Sequence, residues 1–221
     1  VEEHKENIQF KISEALIEKV EQLVDSKDNN SILELLSDYH HADIAEILDE
    51  VNLEDAMYVI KLLDSETTAD ILMELDEDNR EKVLKNLSAK EIAEEIEELD
   101  TDDAADIISE LSEERAQQVI SEMEDEEHAE NIVELLRYDE DSAGGLMAKE
   151  LVRVYEDWTV TGCVAEMRKQ AENVTRVHSI YVVDDKNRLK GRLSLKDLLT
   201  AASNENIRDV YIPNVDYVNV H

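Results

Sequence analysis

The chain has 221 residues, 42% apolar and 4% aromatic, with 57 acids against 22 bases and a formal charge of −35. So much apolar content excludes a disordered acidic tail, and the lack of clustered Lys and Arg leaves nucleic acid nothing to bind. The one cysteine, Cys163, excludes an internal disulfide and a thiolate zinc site; the longest apolar run, five residues from Ala56 to Ile60, falls far short of the roughly 20 that span a bilayer. No signal peptide opens the sequence, which starts at Val1 rather than Met, so a soluble piece of a longer polypeptide is expected.

The charge is uneven along the chain. Residues 1–141 hold 46 acids and 11 bases, a balance of −35, while residues 142–221 hold 11 of each. Charge alone therefore places a domain boundary near residue 141.

The acidic part repeats a short unit. ADIAEILDEV (42–51) returns as ADILMELDED (69–78) and as ADIISELSEE (105–114). A small or apolar anchor recurs at Ala45, Ala56, Ala69, Val83, Ala93, Ala105, Ala116 and Ala129, at steps of 10 to 14 residues. Apolar positions inside each copy fall at i, i+3, i+4 and i+7, one stripe of a helix. Asn52, Ser65, Ser88, Thr101 and Ser112 sit where N-caps are needed. Helices this short do not hold alone in water, so they must stack stripe against stripe. The expectation for residues 1–138 is a superhelix of short helices, an α-solenoid; drifting spacing and frequent caps disfavour a long coiled coil.

The double glycine, Gly144-Gly145, follows at once in YDEDSAGGLMAKE. A turn from helix into strand needs backbone that a side chain would obstruct, and φ > 0 is expected at one of the two. Residues 139–150 form the junction. LVRVY (151–155) then alternates as a strand, and Thr159 caps a helix from Val160 to about Ala171. SIYVVD (179–184), the turn DDKN and RLKGRLS (188–194) read as a hairpin, followed by the short helix LKDLLTAA (195–202).

Strand, helix, strand, strand, helix, with GRLSLKD joining the last two, resembles a cystathionine-β-synthase (CBS) motif. IRDVYIPNVDYVNVH looks like the linker and opening strand of a second one. A superhelix of acidic helices, the run Ser142-Ala143-Gly144-Gly145-Leu146-Met147 with Glu150, then a CBS motif, together resemble the cytosolic region of MgtE-type magnesium transporters. Ala148 departs from the family's threonine after that methionine. The resemblance implies a mainly α superhelix followed by an α/β CBS motif. It also implies a homodimer through the CBS regions, and a transmembrane pore in the same polypeptide, absent here. The location implied is the cytoplasmic side of the cell membrane.

Residues 90–141 carry 22 acids and three bases. Asp102 and Asp106 project from one helix face, Asp103 is adjacent, and Asp70 opens an equivalent helix. Composition alone reads these as a solvated acidic face. The resemblance instead makes Asp70, Asp102 and Asp106 ligands of regulatory Mg²⁺, although Asp70 replaces the family's longer glutamate. Ser194 and Asp197, after Gly191, match the pattern by which CBS motifs hold a nucleotide ribose, which implies ATP or another adenine nucleotide; Ser194 is equally read as an N-cap. The six histidines (His4, His40, His41, His128, His178, His221) show no metal-ligand spacing, and His40 and His41 are expected to point apart. No nucleophile with a partnered base is recognisable, so the chain is not read as an enzyme. Two function classes stand: a Mg²⁺-sensing regulatory module that gates transport by compaction, and a protein-binding solenoid with a nucleotide-responsive CBS motif.

Overall fold

The computed structural model describes residues 12–170 and 179–221. His4, His178 and the expected helix end at Ala171 lie outside them. The first stretch is a succession of short helices: α1 (Glu14–Asp25), α2 (Asn29–Leu36), α3 (His41–Glu50), α4 (Leu53–Ile60) and α5 (Ser65–Glu74). It continues through α6 (Glu77–Asn86), α7 (Ala89–Ile96), α8 (Thr101–Ser109), α9 (Glu113–Glu122) and α10 (Glu126–Leu135). Each has between 8 and 12 residues.

Local chemistry starts most of these helices where the sequence places them. Asn52, Ser88 and Ser112 cap α4, α7 and α9, each accepting the N–H three residues on, and Glu91 completes a capping box with Ser88. Two starts differ from expectation. Asp64, not Ser65, caps α5, because its carboxylate is the stronger acceptor for the Thr67 N–H; Thr101 is already the first residue of α8.

Short helices are held by stacking. α3 packs on α5, α5 on α7, α7 on α9, and α4 on α6. Ala45, Ala56, Ala69, Val83 and Ala93 are buried in these contacts and Ala105 is buried on α8, whereas Ala116 and Ala129 remain partly exposed. Ile47, Ile71, Leu72, Ile92 and Ile96 are fully buried, each worth about 1.5–3 kcal/mol of transfer free energy. Polar clips cross the stack at nearly constant sequence separation. Asn79 bonds Asp49, Lys61 bonds Glu91 and Arg80 bonds Glu110, all 30 residues apart; Tyr58 bonds Asn29 at 29.

Backbone packing divides the chain into two compact units. One comprises Val1–Leu99 with Asp106–Glu126, and the other Asp100–Ala105 with Glu127–His221. The division runs through α8.

In the second unit β1 (Val152–Tyr155), α11 (Val160–Gln170), β2 (Ile180–Val183), β3 (Leu189–Leu193) and α12 (Leu195–Thr200) follow the expected order. β1 and β2 are parallel, and β2 and β3 form the antiparallel hairpin, with an irregularity between Val182 and Val183. Val152, Val154, Ile180, Val182 and Leu193 face a core closed by Val160, Cys163 and Leu198 from the helices and by Ile207. Thr159 caps α11 through the N–H of Gly162.

Ile212–Pro213 forms β4, which pairs antiparallel with β3 and extends the sheet. One expectation changes. Neither Gly144 nor Gly145 has positive φ. Their requirement is close approach instead. A Cβ on Gly144 would lie 2.5 Å from the Tyr138 ring and 2.8 Å from the Val220 carbonyl oxygen, and one on Gly145 would lie 2.9 Å from that of Glu140.

Candidate functional site

Asp70 lies in α5 and is half exposed, with Oδ2 2.8 Å from His41 Nδ1 in the first turn of α3. Its neighbour places that imidazole. His40 is the N-cap of α3 and accepts the Ala42 N–H on its own Nδ1, and the two rings meet edge to face with centroids 3.9 Å apart. The expected divergence of the two histidines fails because His40 precedes the helix with extended backbone and does not follow its rotation.

Asp102 and Asp106 sit one turn apart on α8, Asp102 partly buried and Asp106 exposed. Among the described residues no three His, Cys, Asp or Glu side chains gather in a way that could hold a metal ion. Mg²⁺ in general takes one or two carboxylates and keeps most of its waters.

The field around these carboxylates is steep. On α7, Glu91 is held down at about 2 by the Lys61 ammonium, helped by Ser88. One turn later Glu95 goes the other way, pushed up to about 7 by burial and then by the charges of Glu94, Asp64, Glu91 and Glu98. Its Oε2 is buried without a hydrogen-bond partner. The sequence carried no signal for this residue, since Glu95 is one acid among many in EIAEEIEELD.

In the second unit Ser194 does cap α12: its Oγ accepts the Asp197 N–H at 3.0 Å and donates to Asp197 Oδ2 at 2.6 Å. The pair is thus preset at a helix start, with one carboxylate oxygen engaged by the serine. The beginning of the sheet lies beside a groove lined by Met147, Leu151, Arg153, Tyr181 and Leu189.

Comparison with known proteins fits this geometry. A family model for the MgtE intracellular N domain matches residues 39–141, and one for the CBS domain matches residues 143–204. The solved cytosolic domain of the Mg²⁺ channel MgtE in complex with ATP superposes with a TM-score of 0.84 at 32% identity, over 92% of this chain and 83% of that one. The chain belongs to the MgtE family. It carries the superhelical N domain and the first CBS motif of an MgtE cytosolic region. The soluble part of a magnesium transporter is a second structural match, with a TM-score of 0.79 at 25% identity over 94% of this chain and 81% of that one. The magnesium transporter MgtE of Thermus thermophilus is 45% identical over 84 residues, 38% of this chain. That stretch is 19% of the relative's length. Among the described residues no helix is long and apolar enough to cross a membrane.

Proposed function

We propose that the chain is the Mg²⁺-sensing regulatory module of a magnesium transporter, built as an acidic domain (1–138), a junction (139–150) and a CBS region (151–221). The observation that carries the reading is the charge partition: the whole balance of −35 lies on residues 1–141, in a family whose named members are magnesium transporters. Such a domain approaches other carboxylates only when cations intervene. With Mg²⁺ scarce, the acidic domain is repelled by the carboxylates of its partner surface and the module stays extended. With Mg²⁺ plentiful, ions bridge Asp70, Asp102 and Asp106 to partner carboxylates, including ones outside these 221 residues, and the module compacts. At Asp70 the ion competes with His41, whose imidazole already occupies Oδ2. Compaction closes a pore carried by the same polypeptide on the cytoplasmic side of the membrane, and several weak sites make the response steep.

Small-angle scattering of an MgtE cytosolic protein extended beyond His221, with and without Mg²⁺, tests this. The radius of gyration falls in wild type, and Asp102→Asn with Asp106→Asn shifts the transition to higher Mg²⁺. No compaction, or compaction of the double variant at the wild-type concentration, overturns it. The match to an ATP complex supports a second ligand. Ser194 and Asp197 are the proposed ribose contacts, with Asp197 Oδ1 left to read the hydroxyls, and the CBS regions are the proposed homodimer face.

A further inference from the structure

The junction does more than turn the chain. Thr101, the first residue of α8, is fully buried. Its N–H donates to Glu150 Oε1 at 3.1 Å and its hydroxyl donates to Glu150 Oε2 at 3.0 Å. That hydroxyl in turn accepts the Lys149 N–H at 3.0 Å. A carboxylate 49 positions away thus reaches the start of the helix. Both oxygens are engaged, the bonds are charge-assisted, and the anion sits at the positive end of the helix. Lys149 is held as well, with Nζ 2.8 Å from Glu134 Oε1 on α10, which holds the Glu134 carboxyl below its ordinary range.

At the other end of the junction Gly144 is buried, and its N–H donates to the Val220 carbonyl at 2.9 Å. Tyr138 covers that glycine and meets the His221 ring with centroids 5.5 Å apart. Only four residues, 145–148, separate Gly144 from Lys149. Of these, Gly145 is fixed to Ser142 by its N–H, and Leu146 likewise bonds the Ser142 carbonyl. That leaves two residues, Met147 and Ala148, between the bonded turn and Lys149.

We infer that Thr101 and Glu150 form a clasp that couples the first turn of α8 to residues 214–221 through the glycine pair. A shift of α8 pulls Glu150 and the Lys149 backbone together, and the bonded turn hands the shift to the Gly144–Val220 hydrogen bond. All of these residues belong to one compact unit, so the coupling runs through contiguous bonds. Thr101 and Glu150 touch no proposed ion; they are positioning residues for the helix that carries Asp102. The regulatory meaning of the clasp rests on the Mg²⁺ reading, but its existence does not.

Amide hydrogen exchange on the 221-residue protein, free of divalent ions, tests it. Thr101→Val keeps the shape and removes the hydroxyl. Exchange at the Gly144 N–H is expected to quicken about tenfold along with that of the first turn of α8, while α3 and α5 keep wild-type protection. Thr101→Ser restores the hydroxyl and the protection. Unchanged exchange at Gly144 in the valine variant, or no rescue by serine, overturns the coupling. Should the valine variant not fold, Glu150→Gln, which keeps the shape and one acceptor, carries the same test: faster exchange at Gly144 supports the clasp and unchanged exchange refutes it. Because no Mg²⁺ is present, failure here leaves ion-driven compaction standing, and failure of compaction leaves the clasp.

Discussion

Glu95→Gln should change how the superhelix responds to pH. The native carboxyl is pushed up to about 7 from 4.5, mainly by burial, and the four acids around it add to the push. At about 1.36 kcal/mol per unit the full difference is about 3 kcal/mol. The side chain is only partly enclosed although Oε2 itself is buried, and solvent screening reduces the figure to about 1–2 kcal/mol. The native pKa is raised, so the native state holds its proton to higher pH than the unfolded chain. The contribution is therefore complete below about 4.5 and is lost as pH rises through about 7. Urea unfolding at pH 5.5 and pH 8 measures it, because the variant keeps the shape and cannot ionise. The stability of wild type minus variant should fall by about 1 kcal/mol between the two pH values, the rest having been lost between about pH 4.5 and pH 5.5. Histidine titration and the general repulsion of an acidic chain are common to both proteins and cancel. Glu91, held at about 2, stays ionised throughout. A difference that is the same at both pH values refutes the reasoning, since it makes Glu95 as ionisable in the native state as in the unfolded one.

Arg80→Ala should lower superhelix stability by about 2 kcal/mol in the same assay, because it strands Glu110, 21% exposed, and removes donors from the Leu72 and Met73 carbonyls. Arg80→Lys should recover less than half of that loss, since an ammonium cannot reproduce the fork that bonds Glu110 and both carbonyls. Gly144→Ala should destabilise the second unit by about 1–3 kcal/mol by calorimetry, as its Cβ enters the Tyr138 ring. Gly162→Ala is the control: there, in the first turn of α11, a Cβ meets only Thr159 Oγ1 at 3.5 Å, an ordinary contact, and no loss of stability is expected.

The helices were legible because their causes are local. An apolar stripe and a cap oxygen lie within one turn, and Ser88 with Glu91 announces α7 without reference to anything else. The CBS order was legible for the same reason, since Val152–Tyr155 and Ile180–Val183 alternate or branch where strands must. What escaped depends on residues far along the chain. Gly144 resembles a positive-φ glycine until Val220 comes back over it. Ile212–Pro213 is two residues long and contains a proline, below any strand signal, yet the edge of β3 is free to take it. For the site, Asp70, Asp102 and Asp106 could be named from the family pattern, but nothing local told of the His41 contact at Asp70, of the burial of Glu95, or of a cap for α8 supplied by Glu150.

The clips 30 residues apart bear on how the superhelix opens. In a stack where each helix touched only the next, the end would fray one helix at a time, each loss costing a single interface. Here α7 packs on α5 and α9, while Arg80 on α6 reaches Glu110 just past α8. Lifting α9 uncovers the buried face of α7, and straightening the turn before α9 breaks the arginine pair on α6. Opening at α9 therefore forfeits contacts on both α7 and α6, and the helices of the first unit should unfold as a single cooperative block.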